Sequence, residues 1–293
     1  MRRVRSAWNL IGLAAATAAG APIPIANSGF EADFAADGTF PVGTLTDWAV
    51  FDPMFLLPAG GNSVGVINPT GGDCFNMMDA PEGRNAALIF LSNDSTRGMG
   101  PVGLSQQLGA TLEAETTYTL IVEVGNIASC AGLPPFDQFG FFELGGFPGY
   151  AVQLVAGGAV VAEDFNTLAG VIPEGEFRTS TIELVVGASH PQLGGALEIR
   201  LLNLNMEDTP EDPGIEVDFD DVRLDASANP PSGCSPADLA DPFGVISQAD
   251  SAEFVARFFA GDAGVAALSE PFDVVSQADV SAFVQLFFEG CQQ

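Results

Sequence analysis

Val217-Asp218-Phe219-Asp220-Asp221-Val222-Arg223-Leu224 alternates apolar and charged side chains and gathers three carboxylates between positions 218 and 221. Alternation with period two marks a β-strand that turns one face to a core and the other to water. Pro230 and Pro231 follow soon after, so this strand closes a structural unit. Working back from it, the same pattern recurs. Tyr118, Leu120, Val122 and Val124 fall on one face with Thr117, Thr119 and Glu123 opposite, and Leu197, Ile199 and Leu201 oppose Glu198 and Arg200. Strands are predicted over 23–30, 47–52, 63–67, 85–91, 103–108, 116–126, 149–155, 159–163, 176–186, 196–203 and 215–225. Ala156-Gly157-Gly158 supplies a hairpin turn. Many short strands with one wet face and no helical period predict a mainly β chain, an antiparallel β-sandwich of the jelly-roll kind, over residues 22–226. The acidic pair of the closing strand is expected to face a structural cation.

The composition narrows the partners. The 293 residues carry a formal charge of −29, with 38 acids against nine bases, all of them arginine. Such a field repels nucleic acid and anionic lipid and favours cations, so neither nucleic-acid binding nor membrane insertion is expected. Hydrophobic residues make up 47% of the chain, enough for a folded globule rather than an acidic disordered tail.

Arg2, Arg3 and Arg5 precede an apolar run from Ala7 to Ala19 that ends in small residues. Residues 1–21 therefore read as a secretory signal peptide, too short for a membrane span, and the protein is expected to be secreted or held at the cell surface. Export makes the cysteines legible. Cys74, Cys130, Cys234 and Cys291 form an even set without metal-ligand spacing, which allows three pairings. Joining 74 to 130 and 234 to 291 is the economical choice.

Five motifs, in order, resemble a known family. Asn27-Ser28-Gly29-Phe30-Glu31, Trp48, Leu104-Ser105-Gln106-Gln107-Leu108, Thr116-Thr117-Tyr118-Thr119-Leu120 and Phe219-Asp220-Asp221-Val222-Arg223-Leu224 are similar to the galactose-binding-like jelly roll of family 4 and 22 carbohydrate-binding modules and their exported bacterial relatives. The resemblance implies that the first and last strands lie side by side with one structural Ca2+ near their ends, with Glu31, Asp220 and Asp221 as side-chain ligands. A hard cation suits clustered carboxylates. The competing assignment pairs one of the two aspartates with Arg223. A sugar-binding face needs exposed Trp or Tyr, and here Trp48 and Tyr118 fall in core register. The segment 127–148 holds Phe136, Phe139, Phe141, Phe142 and Phe147. With Tyr150, the first four of these are the candidates for ligand contact. Phenylalanine's preference for burial favours a flap over the sandwich instead.

No motif for catalysis is visible. His190 is the sole histidine, next to Pro191, and there is no Gly-x-Ser-x-Gly, His-Glu-x-x-His or phosphate loop. A glycoside hydrolase built on an acid pair is the enzymatic alternative.

Beyond a linker at 227–233, residues 234–293 repeat with an offset of 29. Ser247-Gln248-Ala249-Asp250…Phe254-Val255…Phe258-Phe259 returns as Ser276-Gln277-Ala278-Asp279…Phe283-Val284…Phe287-Phe288. Ser247 with Asp250, and Ser276 with Asp279, read as helix-capping boxes, each followed by an apolar stripe, so a small pair of helices is expected. The repeat resembles a degenerate dockerin module whose loops have lost most calcium ligands. The sequence as a whole thus reads as an exported, non-catalytic binding or adhesion protein: a sandwich recognising an extracellular polysaccharide or glycoprotein, and a tail for attachment to a protein partner. A structural cell-surface or lattice protein is the alternative.

Overall fold

The computed structural model describes residues 20–57, 62–91, 101–132, 137–206, 216–229, 234–240, 243, 245–262, 266–269 and 274–291. The leader expected over 1–21 falls almost wholly outside these residues, as do Phe136 and the side chain of Phe139. Two compact units divide the chain, 1–228 and 229–293.

The first unit is an antiparallel β-sandwich. Its strands are β1 (Ala21–Pro22), β2 (Ala49–Phe51), β3 (Ser63–Ile67), β4 (Ala86–Phe90), β5 (Val102–Thr111), β6 (Thr116–Asn126), β7 (Cys130–Ala131), β8 (Phe141–Phe142), β9 (Tyr150–Ala156), β10 (Ala159–Phe165), β11 (Glu176–Val186), β12 (Ala196–Asn203) and β13 (Glu216–Ala228). One sheet runs β11-β6-β13-β4-β3, with β1 added alongside β13. The other runs β10-β9-β12-β5-β2, and β7 with β8 makes a separate short hairpin. Residues 39–42 extend the β3 edge through isolated bridges of Thr39 to Asn68 and Val42 to Gly65.

Between the sheets lies the main core. Tyr118, Leu120, Val122 and Val124 of β6 meet Leu197, Ile199 and Leu201 of β12, and Phe30 packs at 5.4 Å from Trp48. Strand β13 contributes Val217 and Phe219 and then, after a bulge, Val222 and Leu224. The extra residue of the bulge is Asp221, at φ +47°, a region that Asp tolerates better than most residues. That one-residue slip keeps both halves of a long strand facing the same core, and it leaves Glu216, Asp218 and Asp220 together on the opposite face.

Two features differ from the sequence expectation. The chain from 23 to 30 does not form a strand beyond β1. Asn27 and Phe30 take positive φ, and the Asn27 side chain accepts from Ala32 N and donates to Thr46 O, which fixes a turn. The outward face of β13 is also not wet. A second apolar cluster covers that sheet: Ile67, Cys74, Phe75, Ala86, Leu88, Ile127, Cys130 and Leu144, with Phe40, Phe90, Phe142 and Phe177 packed against it. The disulfide Cys74–Cys130 ties the two loops that carry this cover.

The second unit holds two helices, α1 (Gln248–Ala260) and α2 (Gln277–Glu289). Phe254 and Phe283 stack at 4.1 Å in its core, and Cys234–Cys291 closes it. Ser247 and Ser276 are the N-caps, each in a complete capping box. Asp250 accepts from the backbone N–H groups of Leu239, Ala240 and Ser247, and Asp279 from those of Leu268, Ser269 and Ser276. Each loop therefore points N–H donors inward at its own carboxylate, the inverse of the oxygen-lined cage a calcium ion requires.

A candidate active site of buried carboxyls

Asp218 is the centre of the arrangement. In register it lies between Leu88 of β4 and Gly125 of β6, and Phe177 of β11 sits across Gly125. Its side chain is wholly buried, no backbone N–H among the described residues reaches its oxygens, and its polar neighbour is the carboxyl of Glu216. A desolvated carboxylate without donors costs several kcal/mol, roughly, so the group keeps its proton instead. Glu216, two residues earlier on the same face, is buried beside it. Burial raises Glu216 to about 7. Burial, and then the charge of Glu216, lifts Asp218 well above the usual carboxylate range. Burial under a layer of phenylalanines thus favours the undissociated form of Asp218, the form a general acid needs.

The aromatic layer is built to fit. Phe75 is fully buried and stacks on Phe177 at 4.7 Å with 21° between the rings. Phe75 sits next to the Cys74 bridge, and its segment is pinned by Ala128 N donating to Cys74 O and by the Asn76 amide donating to Glu174 O. Ser129 Oγ accepts from Leu144 N and Gly145 N, which folds the 127–148 segment back onto the sheet. Phe142 joins the cover, whereas Phe141 is exposed and Phe147 packs on the main core.

The remaining sequence candidates are placed elsewhere. Tyr150 is fully buried; its hydroxyl donates to Asp164 at 2.5 Å, and burial and then that bond push it up to about 12. Ser180 of β11 donates to the same Asp164 oxygen, so the trio clips the edges of the two sheets together. Asp221 pairs with Arg223 at 3.1 Å. Asp220 is wholly buried and accepts from Glu82 N and Asp221 N. Burial raises it to about 8, the two backbone donors opposing and the charges of Glu82 and Asp221 adding to the rise. Glu31 accepts from Arg84 N and Asn85 N, capping the turn that carries Glu82. Sequence reading assigned no role to Asp218 and did not single out Glu216. The signal that could have found them was the phenylalanine-rich, disulfide-tied segment, which has to cover some face of the sandwich.

The HpiC1-like cyclase family, described as HpiC1 cyclase, matches residues 21–225. The chain belongs to this family. An apo cyclase from Fischerella sp. is 35% identical and superposes with a TM-score of 0.63, covering 73% of this chain and 100% of that one. Two structures from Fischerella sp. TAU, each also 35% identical with a TM-score of 0.61 over 72% of this chain and 100% of the other, hold (3Z)-3-(1-methyl-2-pyrrolidinylidene)-3H-indole and 4-(1H-indol-3-yl)butan-2-one. Carbohydrate-binding modules of families 22 and 4 also match, at 13% identity and TM-scores of 0.34 and 0.37, too distant to argue from. A search of curated proteins finds no relative.

Membership of the cyclase family overturns the expectation of a non-catalytic binding or adhesion protein. With it go the polysaccharide or glycoprotein ligand and the docking partner for the tail, since the cyclase relatives carry small molecules. The misreading has a physical cause. The buried acids of β13 alternate with core residues as a wet strand face would. The family match stops at residue 225, so the dockerin resemblance of the tail rests on its own repeat alone.

Proposed function

We propose that the 21–225 unit is a cyclase that isomerises an indole-bearing small molecule, with Asp218 as its general acid. The observation that carries this reading is a wholly buried carboxyl that no backbone N–H reaches, set beside a second buried carboxyl and beneath aromatic rings. The indole compounds held by the Fischerella relatives support the substrate class. Asp218 donates its proton to a basic atom conjugated with the substrate ring, and positive charge spreads over that ring. An alkene of the same molecule attacks the electron-poor carbon and closes a ring bond. Loss of a proton back to the carboxylate restores the acid, so the product has the mass of the substrate and no oxidant or reductant is consumed. The phenylalanine faces stabilise the transient cation and exclude water that would trap it. Glu216 holds the proton on Asp218 by disfavouring a second negative charge beside its own.

The test is Asp218→Asn. Conversion of an indole-bearing alkene to an equal-mass product, followed by chromatography and mass spectrometry, is expected to drop about 10²–10⁴-fold, the usual contribution of a general acid. Undiminished turnover would refute the role.

For calcium, the acids to consider stand at the edge where the 27–31 turn meets β13, although as they stand their carboxyl oxygens do not all come within 4.8 Å of one another, so an ion would have to draw them together. Glu82 lies against Gly29, Glu31 against Gly83, and Asp220 stays buried beside the like charge of Glu82. We propose Glu31, Glu82 and Asp220 as its side-chain ligands, with Asp221 left to Arg223. The ion would neutralise the cluster and hold the turn to the closing strand. Export of the chain by its leader is part of the same proposal, and the oxidised cysteines accord with it.

A further inference from the structure

Resting on the reading of Asp218 as the acid, one more residue of the site stands out. Asp218 has no contact with solvent, so a substrate reaches it only where something yields. Phe177 is the half-buried ring beside it, near the start of edge strand β11. Gly125 makes its seat. A methyl group at Gly125 would lie 2.6 Å from the Phe177 ring and 3.0 Å from Asp218 Cβ, so only glycine lets ring and acid sit side by side. On its other side the ring lies on Phe75, which is fully buried and tethered through the Cys74–Cys130 bridge. When Phe177 swings out, it leaves a slot one aromatic ring thick between the Phe75 face and the Gly125 backbone, ending at the carboxyl.

We propose that Phe177 is a gating and specificity residue: its ring holds the place that the aromatic ring of the substrate takes, and the slot it vacates admits planar aryl systems only. Near Phe177, β11 is paired within the sheet to β6 alone, and residues that yield in this way commonly limit entry. The stack with Phe75 is then exchanged for an equivalent stack with substrate.

The experiment uses the full chain and 4-(1H-indol-3-yl)butan-2-one as probe, with association followed by stopped-flow fluorescence. Phe177→Ala is expected to speed association about tenfold or more and to take up free indole in the vacated slot, as apolar cavities do for aromatics. Gly125→Ala, which pushes the ring out and crowds the slot, is expected to speed entry and weaken the hold. Phe177→Tyr, which keeps the ring, is expected to keep the wild-type rate. If Phe177→Ala does not fold, Phe177→Leu, which also removes the ring, takes its place beside Gly125→Ala. Association unchanged in Gly125→Ala and in whichever Phe177 variant removes the ring overturns the gate, and so does a probe that binds none of the variants. The acid is judged apart. Asp218→Asn is expected to bind the probe at the wild-type rate while losing turnover, and an Asp218→Asn variant that retains turnover removes the acid role on which the gate rests.

Discussion

Replacing Asp218 by Asn should make the sandwich more stable near neutral pH and less sensitive to pH at the same time as it lowers turnover. An Asp in the unfolded chain ionises near pH 3.9, whereas burial keeps Asp218 protonated in the fold. Its folded affinity for the proton exceeds the unfolded one, so its contribution is fully present below about pH 4 and is lost as pH rises. The loss runs at about 1.4 kcal/mol for each pH unit over which the folded group keeps its proton and the unfolded one has lost it. An amide has no proton to lose. Its N–H donors face the Glu216 carboxyl, and any donor left unmatched costs about 1–3 kcal/mol. The slope is therefore the diagnostic quantity. Trp48, buried in the core, reports the unfolding of this unit by fluorescence. Urea titrations of wild type and Asp218→Asn at pH 4.5, 6 and 7.5 are expected to give a variant advantage that grows steadily with pH. Parallel curves would mean that Asp218 is ionised in the fold and has no proton to give.

Other outcomes follow from the same structure. Chelation is expected to lower the melting temperature of the sandwich, and Glu82→Gln or Asp220→Asn to remove that response; an unchanged melt in wild type would sink the calcium site. Opening the 74–130 bridge by Cys74→Ser with Cys130→Ser is expected to cost about 2–5 kcal/mol, read from the urea midpoint, because it frees the loops over Phe75 and Phe177. The C-terminal unit should respond to acid in the opposite sense to the sandwich. Burial works to raise Asp250 and Asp279, but their N–H partners more than offset it and hold both below the ordinary value. The stability they confer is present above about pH 4 and is lost as pH falls below it, which helix circular dichroism between pH 5 and 2 would follow.

Much of the architecture was legible because alternation is a local signal. The two faces of β6 and β12 could be read off Tyr118 to Val124 and Leu197 to Leu201 without knowing what packs on them. The helix caps were equally local, since Ser247 and Asp250 need only each other and the loop beside them. The turn at Asn27 was missed because Ile23 and Ile25 imitate a strand, and only the hydrogen bonds to Ala32 and Thr46 show where the chain bends. The site was missed for a deeper reason. Alternation tells that Asp218 and Val217 face opposite ways, but not that Asp218's side is also covered. That cover comes from Phe75 and Phe177, more than forty positions away in sequence at the nearest, joined across the sheet by a disulfide and a glycine gap. Whether an acid on a strand is a solvated charge or a protonated catalyst is decided by those distant residues.

The central claim is that this unit performs acid-catalysed cyclisation at Asp218, and turnover measures it most directly. Wild type and Asp218→Asn, each shown to be folded, are incubated with a panel of indole-bearing alkenes, and products are sought at the mass of the substrate. The account expects a ring-closed isomer from wild type and about 10²–10⁴-fold less from the variant. Equal conversion by the two proteins would contradict it.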